Sequence, residues 1–223
     1  MQLSIHHKLA LIGATMTSAL ALTDAATHGI TGEYSWFADD SGVLAAQVFA
    51  AIVHGLTYAA LGFVLMREAT LIDAAGRLQA GLRRVLVCAL GLLAAVFLLV
   101  APFFRSPEEA GAVGVVLGVL MTVGFFALLL GSMIIGPLLL RTPRLRTGSR
   151  VLTAMLPVLG VTVVMAFVAT AWAHPAYLET TMHFGLALLG VDAVTRGLES
   201  SATVATHVGV DAHSGGHSDR SRR

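Results

Sequence analysis

Long runs of apolar residues, separated by short polar segments, occupy most of the chain up to residue 198. The hydrocarbon core of a bilayer is about 30 Å thick, so a helix needs about 20 residues to cross it. The pattern therefore predicts an all-α integral membrane protein, a bundle of about six transmembrane helices. The predicted spans cover residues 9–23, 43–66, 85–104, 112–140, 151–173 and 176–195.

Composition supports a membrane protein over a soluble one. The apolar fraction is 56% and the charged fraction is 12%, with a mean hydropathy of +0.81. Soluble domains average about 45–50% and about 25% for the same two fractions. The chain contains one cysteine, Cys88, which excludes an intramolecular disulfide framework. We expect one membrane domain, residues 1–198, embedded in the lipid bilayer.

The distribution of basic residues predicts the orientation of the six spans. If the N-terminus is cytoplasmic, every one of the 14 lysines and arginines except Arg105 falls on the cytoplasmic side. Such an asymmetry follows the positive-inside rule. Both termini are therefore predicted to be cytoplasmic, in a multi-pass protein of the plasma (inner) membrane. Topology accounts for the arginine clusters, so we expect no nucleic-acid partner.

The composition changes abruptly in the last segment, residues 199–223. Ser, Gly, His, Asp and Arg replace the apolar residues, and no helical periodicity is visible. Such a segment cannot bury enough apolar surface to fold, so a disordered cytoplasmic tail is predicted. Histidine-rich tracts can also bind metal ions, and the sequence leaves this question open for the tail.

Small residues recur at helical spacing in two of the predicted spans. Ala51, Gly55 and Ala59 follow one another at intervals of four, and Gly114 and Gly118 form a GxxxG pattern. Stripes of this kind allow helix backbones to approach closely in lipid. They predict tight packing within the bundle, self-association, or association with other membrane subunits.

The second span also carries a polar stripe next to its small-residue face. Four polar groups at helical spacing inside a membrane helix should face protein or water, because exposing them to lipid is costly. His54 lies near the predicted bilayer midplane. The stripe consists of Gln47, His54, Thr57 and Tyr58.

Further ionisable residues fall in the predicted outer half of the bundle. Asp24 and His28 are one helical turn apart, as are Glu179 and His183, and His174 precedes the last span. Residues four apart on a helix can contact each other. If the first, second, fifth and sixth spans are neighbours, these groups and the polar stripe form one pocket.

Three hypotheses account for these histidines. In the first, they are neutral and hydrogen-bonded to neighbouring helices, with about 0.6 kcal/mol per bond. In the second, they bind a cofactor: His54 and His183 as axial ligands of a b-type haem, or His28, Asp24 and His174 as ligands of a divalent metal. In the third, they relay a proton, cation or small solute through the bundle.

Function is predicted only in outline. We expect a small multi-pass membrane protein whose pocket, centred on His54 and His183, binds a cofactor or another ligand. A transporter or proton relay is the first alternative, and a structural subunit of a larger membrane complex is the second. The sequence leaves open whether the protein is an enzyme, because it shows no recognisable nucleophile and no pair of close carboxylates.

Overall fold

The computed structural model describes residues 3–38, 43–100 and 107–192, and these ranges contain helices and turns but no β-strand. The predicted tail, residues 199–223, lies outside them. A π-helical turn, Val96–Val100, continues α4, and 3-10 turns precede α6 and α8. The α-helices are α1 Ile5–Thr31, α2 Leu44–Arg67, α3 Ala69–Ala74, α4 Arg77–Ala95, α5 Pro107–Leu139, α6 Arg146–Thr153, α7 Met155–Val168 and α8 Ala176–Ala187.

Within the described ranges, five helical segments are long and apolar enough to cross a membrane. The prediction of several membrane-length apolar helices is thus confirmed, while the sixth span and the orientation stay predictions. Helix α8 has 12 residues, or about 18 Å of helix, which alone is shorter than the hydrocarbon core. The five segments are Ile5–Thr31, Leu44–Arg67, Arg77–Leu99, Gly111–Leu139 and Pro143–Val168.

Helix α1 extends beyond the predicted span 9–23 at both ends. Its threonines do not interrupt it, because their hydroxyls donate to carbonyls one turn earlier in the same helix. The helix ends at Gly32, whose φ of 79° is the left-handed conformation that glycine adopts at helix ends. Threonines bonded in this way are Thr15, Thr23, Thr27 and Thr31.

Proline and glycine interrupt the last two predicted spans. The fifth span breaks between Thr153 and Met155, as expected because Pro157 cannot donate a backbone hydrogen bond to Thr153. The sixth is predicted as one helix over 176–195, but α8 ends at Ala187 and the chain turns through Gly190, at φ 88°. Beyond that turn, Asp192 accepts hydrogen bonds from Thr147 N and Oγ1, each 2.7 Å long, and so caps α6.

Six helices pack side by side in a closed ring. In order of contact, α1 adjoins α2, α2 adjoins α4, α4 adjoins α5, α5 adjoins α6, and α6 adjoins α8, which returns to α1. Helix α2 also contacts α8. The helices that carry Asp24, His54 and Glu179 are therefore mutual neighbours, which the sequence-based pocket required.

Glycines allow the closest helix contacts. A Cβ on Gly136 of α5 would lie 2.7 Å from Leu152 Cβ, and a Cβ on Gly148 of α6 would lie 2.6 Å from Leu189 N. A Cβ on Gly55 would meet Leu98, whereas Gly118 has open space around it. The small-residue stripe of α2 is therefore used at Gly55 for packing inside the chain.

The exposed surface of α5 and α7 is almost entirely apolar. Phe167 is 84% exposed and Val115 is 68% exposed. Soluble monomers rarely leave apolar patches of this size in contact with water, whereas such faces suit a lipid environment. Other exposed residues of the same kind are Val113, Val116, Val119, Val123, Val161 and Val164.

A bidentate ion pair joins α3 to α4. Arg83 donates from Nε to Asp73 Oδ1 at 2.7 Å and from Nη2 to Asp73 Oδ2 at 2.8 Å. These hydrogen bonds lower the pKa of the Asp73 carboxyl. The pair fixes α3 against the first turns of α4 at one end of the bundle.

Candidate functional site

Four side chains from α2 and α8 meet inside the bundle around one carboxylate oxygen. Glu179 Oε1 accepts a hydrogen bond from Tyr58 Oη at 3.3 Å. The same oxygen lies 3.6 Å from His54 Nε2 and 3.8 Å from His183 Nε2. We call Tyr58, His54, Glu179 and His183 the Glu179 cluster. Both histidines predicted to form the centre of the pocket belong to it.

Backbone contacts restrict where protons can reside in this cluster. His54 Nδ1 lies 2.8 Å from the carbonyl oxygen of Ala50, which can only accept, so Nδ1 carries a hydrogen. In a neutral His54 the other nitrogen, Nε2, is then a bare acceptor facing the Glu179 carboxylate. Two acceptors face each other without repulsion only when a proton resides on one of them. The geometry thus places a ring nitrogen of His54 against a carboxylate oxygen of Glu179.

His183 is the most enclosed member of the cluster. Its side chain is fully buried, and neither ring nitrogen has a hydrogen-bond partner among the described residues. The Tyr58 ring packs edge-on against it, with ring centroids 5.6 Å apart. Buried polar atoms without partners are uncommon and costly. The Glu179 carboxylate lies beside this ring, with Oε1 3.8 Å from His183 Nε2.

A second carboxylate–histidine pair lies at the end of the bundle where α8 begins. His174 Nδ1 accepts a hydrogen bond from Ala176 N at 3.2 Å, so its neutral form carries the hydrogen on Nε2. That nitrogen lies 3.5 Å from Asp24 Oδ2. Asp24 Oδ1 accepts from Ser35 N at 2.8 Å. In that tautomer the Nε2–H of His174 faces the Asp24 carboxylate.

One cavity of about 450 Å³ joins the two pairs. The Asp24–His174 pair and the His54–Glu179 pair both line it, and none of the described residues that line it is a lysine or arginine. Within the described part of the chain, the cavity therefore has two carboxylates and no fixed positive charge opposite them. Its aromatic walls are Tyr34, Phe37 and Phe97. We call it the acidic cavity.

A second cavity, of about 420 Å³, lies on the other side of His54 and Glu179. Those two residues and Phe97 line both cavities. The remaining walls of the second cavity are mostly apolar and come from α2, α4 and α5. They include Tyr58, Leu93, Met121, Phe125 and Phe126. The pair thus separates an acidic space from an apolar one.

The other residues predicted for the pocket have different surroundings. His28 stacks on Tyr34, with ring centroids 4.4 Å apart and planes 5° from parallel, whereas Asp24 pairs with His174. Thr57 lies in the contact between α1 and α2, 2.8 Å from Thr17 Oγ1. Gln47 lies in the first turn of α2 and is partly buried.

Sequence reasoning counted Glu179 among the ionisable residues of the outer half of the bundle. It missed that this carboxylate would contact both His54 and His183. The only local signal was its position one turn before His183. Its contacts with His54 and Tyr58 depend on α8 lying against α2. Tyr58 and Glu179 are 121 residues apart in the sequence. Local periodicity therefore gives no sign of their contact.

Comparisons with protein-family models, curated proteins and solved structures found no match to this chain. The chemistry of the site therefore has to be argued from its own geometry.

The cofactor predictions remain predictions, and the geometry bears on each of them. Glu179 Oε1 contacts Nε2 of both His54 and His183, so a haem iron bound by both imidazoles would have to displace this carboxylate. A divalent metal could instead keep Glu179 as a ligand beside the histidines. At the other pair, Asp24 and His174 would be two ligands of the predicted metal.

Proposed function

We propose that this chain is a multi-pass protein of the plasma membrane whose acidic cavity binds a small positively charged solute and releases a proton in exchange. The observation that carries the proposal is the pairing of two carboxylates with histidines in one cavity, with no lysine or arginine among the described residues that line it. In the predicted orientation, this cavity opens toward the outer side of the membrane.

A positive charge fits the acidic cavity better than a neutral or negative solute. Asp24 and Glu179 supply carboxylate oxygens, and their charge is costly to hold in a low-dielectric interior without a cation. The aromatic residues Tyr34, Phe37 and Phe97 line the same space. A cation against an aromatic face gains about 0.5–2 kcal/mol. An organic amine or a small metal cation meets these conditions.

Proton release follows from the hydrogen-bond pattern of the Glu179 cluster. Since His54 Nδ1 already donates to Ala50 O, the proton held between His54 and Glu179 is the mobile one. A cation placed beside Glu179 repels that proton and neutralises the same carboxylate. Binding of one cation should therefore release about one proton, which leaves the charge of the cavity unchanged.

Calorimetry on the purified protein tests this proposal. Organic amines of increasing size and divalent cations are titrated into the protein in two buffers of different ionisation enthalpy, which counts the protons released. We expect saturable binding with about one proton released. Glu179→Gln should abolish the release and weaken binding at least tenfold, or about 1.4 kcal/mol. The matched control is Glu33→Gln, an exposed carboxylate that does not line the cavity.

Two results would contradict the proposal. A neutral analogue of the same shape that binds as tightly as the amine would show that charge is irrelevant. Unchanged affinity in Asp24→Asn and Glu179→Gln would show that the cavity is not the site. Vesicles containing the protein then separate binding from transport: a cation gradient should drive an opposing proton flux in a transporter, whereas a structural subunit should give none.

A further inference from the structure

A separate cluster of ligand side chains lies at the opposite end of the bundle, where α1 begins and α2 ends. It consists of His6, His7 and Glu68, with Ser4 beside them. We propose that His6, His7 and Glu68 bind a divalent transition-metal cation such as Zn²⁺. Each offers one ligand atom, and these atoms lie within 4.8 Å of one another. No residue of the acidic cavity takes part.

The two histidines converge on one point. Ser4 Oγ lies 2.6 Å from His7 Nδ1 and 3.0 Å from His6 Nε2. His6 Nε2 also lies 3.4 Å from Glu68 Oε1. A single oxygen atom therefore fits against both ring nitrogens, next to the carboxylate. A cation at this point would either displace the Ser4 hydroxyl or bind it as a fourth ligand.

His7 already has the outer hydrogen bond that metal-binding histidines use. Its side chain is fully buried, and its Nε2 lies 2.8 Å from the carbonyl oxygen of Leu189. Because a carbonyl only accepts, Nε2 carries the hydrogen and Nδ1 keeps its lone pair toward the cluster. Histidine ligands commonly donate their second N–H to a backbone carbonyl, which fixes the ring and the tautomer.

The turn after α8 holds the carboxylate in place. Gly190 has φ 88°, and a Cβ on it would clash with Glu68 Cδ. The missing side chain thus leaves room for the Glu68 carboxylate against the backbone. The side chains of Glu68 and His6 are each only 12% exposed. Three parts of the chain, the start of α1, the end of α2 and the turn after α8, therefore position the ligands before any metal arrives.

The donor set indicates the class of metal. Two imidazoles and one carboxylate suit Zn²⁺ and neighbouring divalent ions better than Mg²⁺ or Ca²⁺, which prefer oxygen ligands alone. Tetrahedral ligation at about 2.0–2.1 Å places ligand atoms about 3.3 Å apart. The widest separation here, at most 4.8 Å, must close by about 1.5 Å, which side-chain rotation of His6 and Glu68 can supply.

Metal binding is tested on the full chain with Co²⁺, whose visible d–d absorption reports its ligands, and with Zn²⁺ as competitor. The tail histidines and the acidic cavity could bind metal independently, so the test uses a parent variant with His207, His213 and His217 changed to Asn, Asp24 changed to Asn and Glu179 changed to Gln. We expect about one Co²⁺ per chain, displaced by Zn²⁺. Glu68→Gln and His6→Asn should each weaken binding at least tenfold.

A matched control and a folding check make the outcome decisive. Glu33→Gln makes the same change at an exposed glutamate outside both sites and should leave Co²⁺ affinity unchanged. The inference is overturned if the parent variant binds no Co²⁺, or if Glu68→Gln and His6→Asn bind as tightly as the parent. Circular dichroism verifies folding; should Glu68→Gln misfold, the His6→Asn result decides. In the overturned case the cluster only ties α1 to α8 by hydrogen bonds.

Discussion

Replacing Gly148 by alanine tests the helix contact that positions α8 and its Glu179. A Cβ at this position would lie 2.6 Å from Leu189 N and 2.7 Å from Gly185 O, and both atoms belong to the backbone. Backbone atoms cannot rotate away as a side chain would. The alanine methyl group can be accommodated only if α6 and the end of α8 move apart.

The structure sets the size of the effect. Ordinary contact begins at 3.4 Å, so the 2.6 Å distance at Gly148 requires a separation of about 0.8 Å. Overpacking of this kind costs about 1–3 kcal/mol, which is about five- to 150-fold in the unfolding equilibrium. Gly160 in α7 is the matched control because nothing lies within 4 Å of its Cβ position. There, alanine should stabilise the helix by up to about 1 kcal/mol.

The free energy of unfolding is measured by denaturant titration in mixed micelles and followed by circular dichroism. Gly148→Ala should be less stable than the parent, and Gly160→Ala equal or more stable. Since both changes remove a helical glycine, their difference reports mainly the packing cost. If Gly148→Ala were as stable as Gly160→Ala, α6 would not pack against α8 as described, and the position of the Glu179 cluster would be in doubt.

Two further measurements test other contacts. The hydroxyls of Thr17 and Thr57 are 2.8 Å apart. In a double-mutant cycle of Thr17→Val and Thr57→Val, this hydrogen bond should give a coupling free energy of about 0.6 kcal/mol. A coupling of zero would show that the two hydroxyls are not hydrogen-bonded. Arg83 lowers the pKa of Asp73. The pair should therefore stabilise the fold at any pH above the pKa of an unfolded aspartate, which is about 3.9. That stability is lost as pH falls through the lowered pKa, and Asp73→Asn should show no such loss.

Features that depend on local covalent structure could be predicted from the sequence. The long apolar segments follow from side-chain composition alone, and the break before Pro157 follows from its missing N–H. The start of α8 just after Pro175 follows from the preference of proline for the first turn of a helix. The threonines of α1 misled the predicted boundary, because their hydroxyls bond within the helix.

Features that depend on which helices are neighbours could not be predicted from the sequence. The sequence placed His54 and His183 at similar depth, but it did not indicate that Glu179 would contact both. The pairing of Asp24 with His174, rather than with His28 one turn away on the same helix, likewise depends on the turn before α8 meeting α1. His6 and His7 lie beside Glu68 only because the start of α1 packs against the end of α2.

The sequence by itself determined that this protein is built from membrane-length apolar helices, because hydrophobicity and the backbone chemistry of proline and glycine act over a few residues. Only the tertiary structure decided which polar groups meet: the Glu179 cluster inside the acidic cavity, and the His6, His7 and Glu68 cluster at the other end. The physical reason is that helix periodicity shows which residues share a face, while the neighbour of that face is chosen by packing between distant segments, here through contacts such as Gly148 against α8.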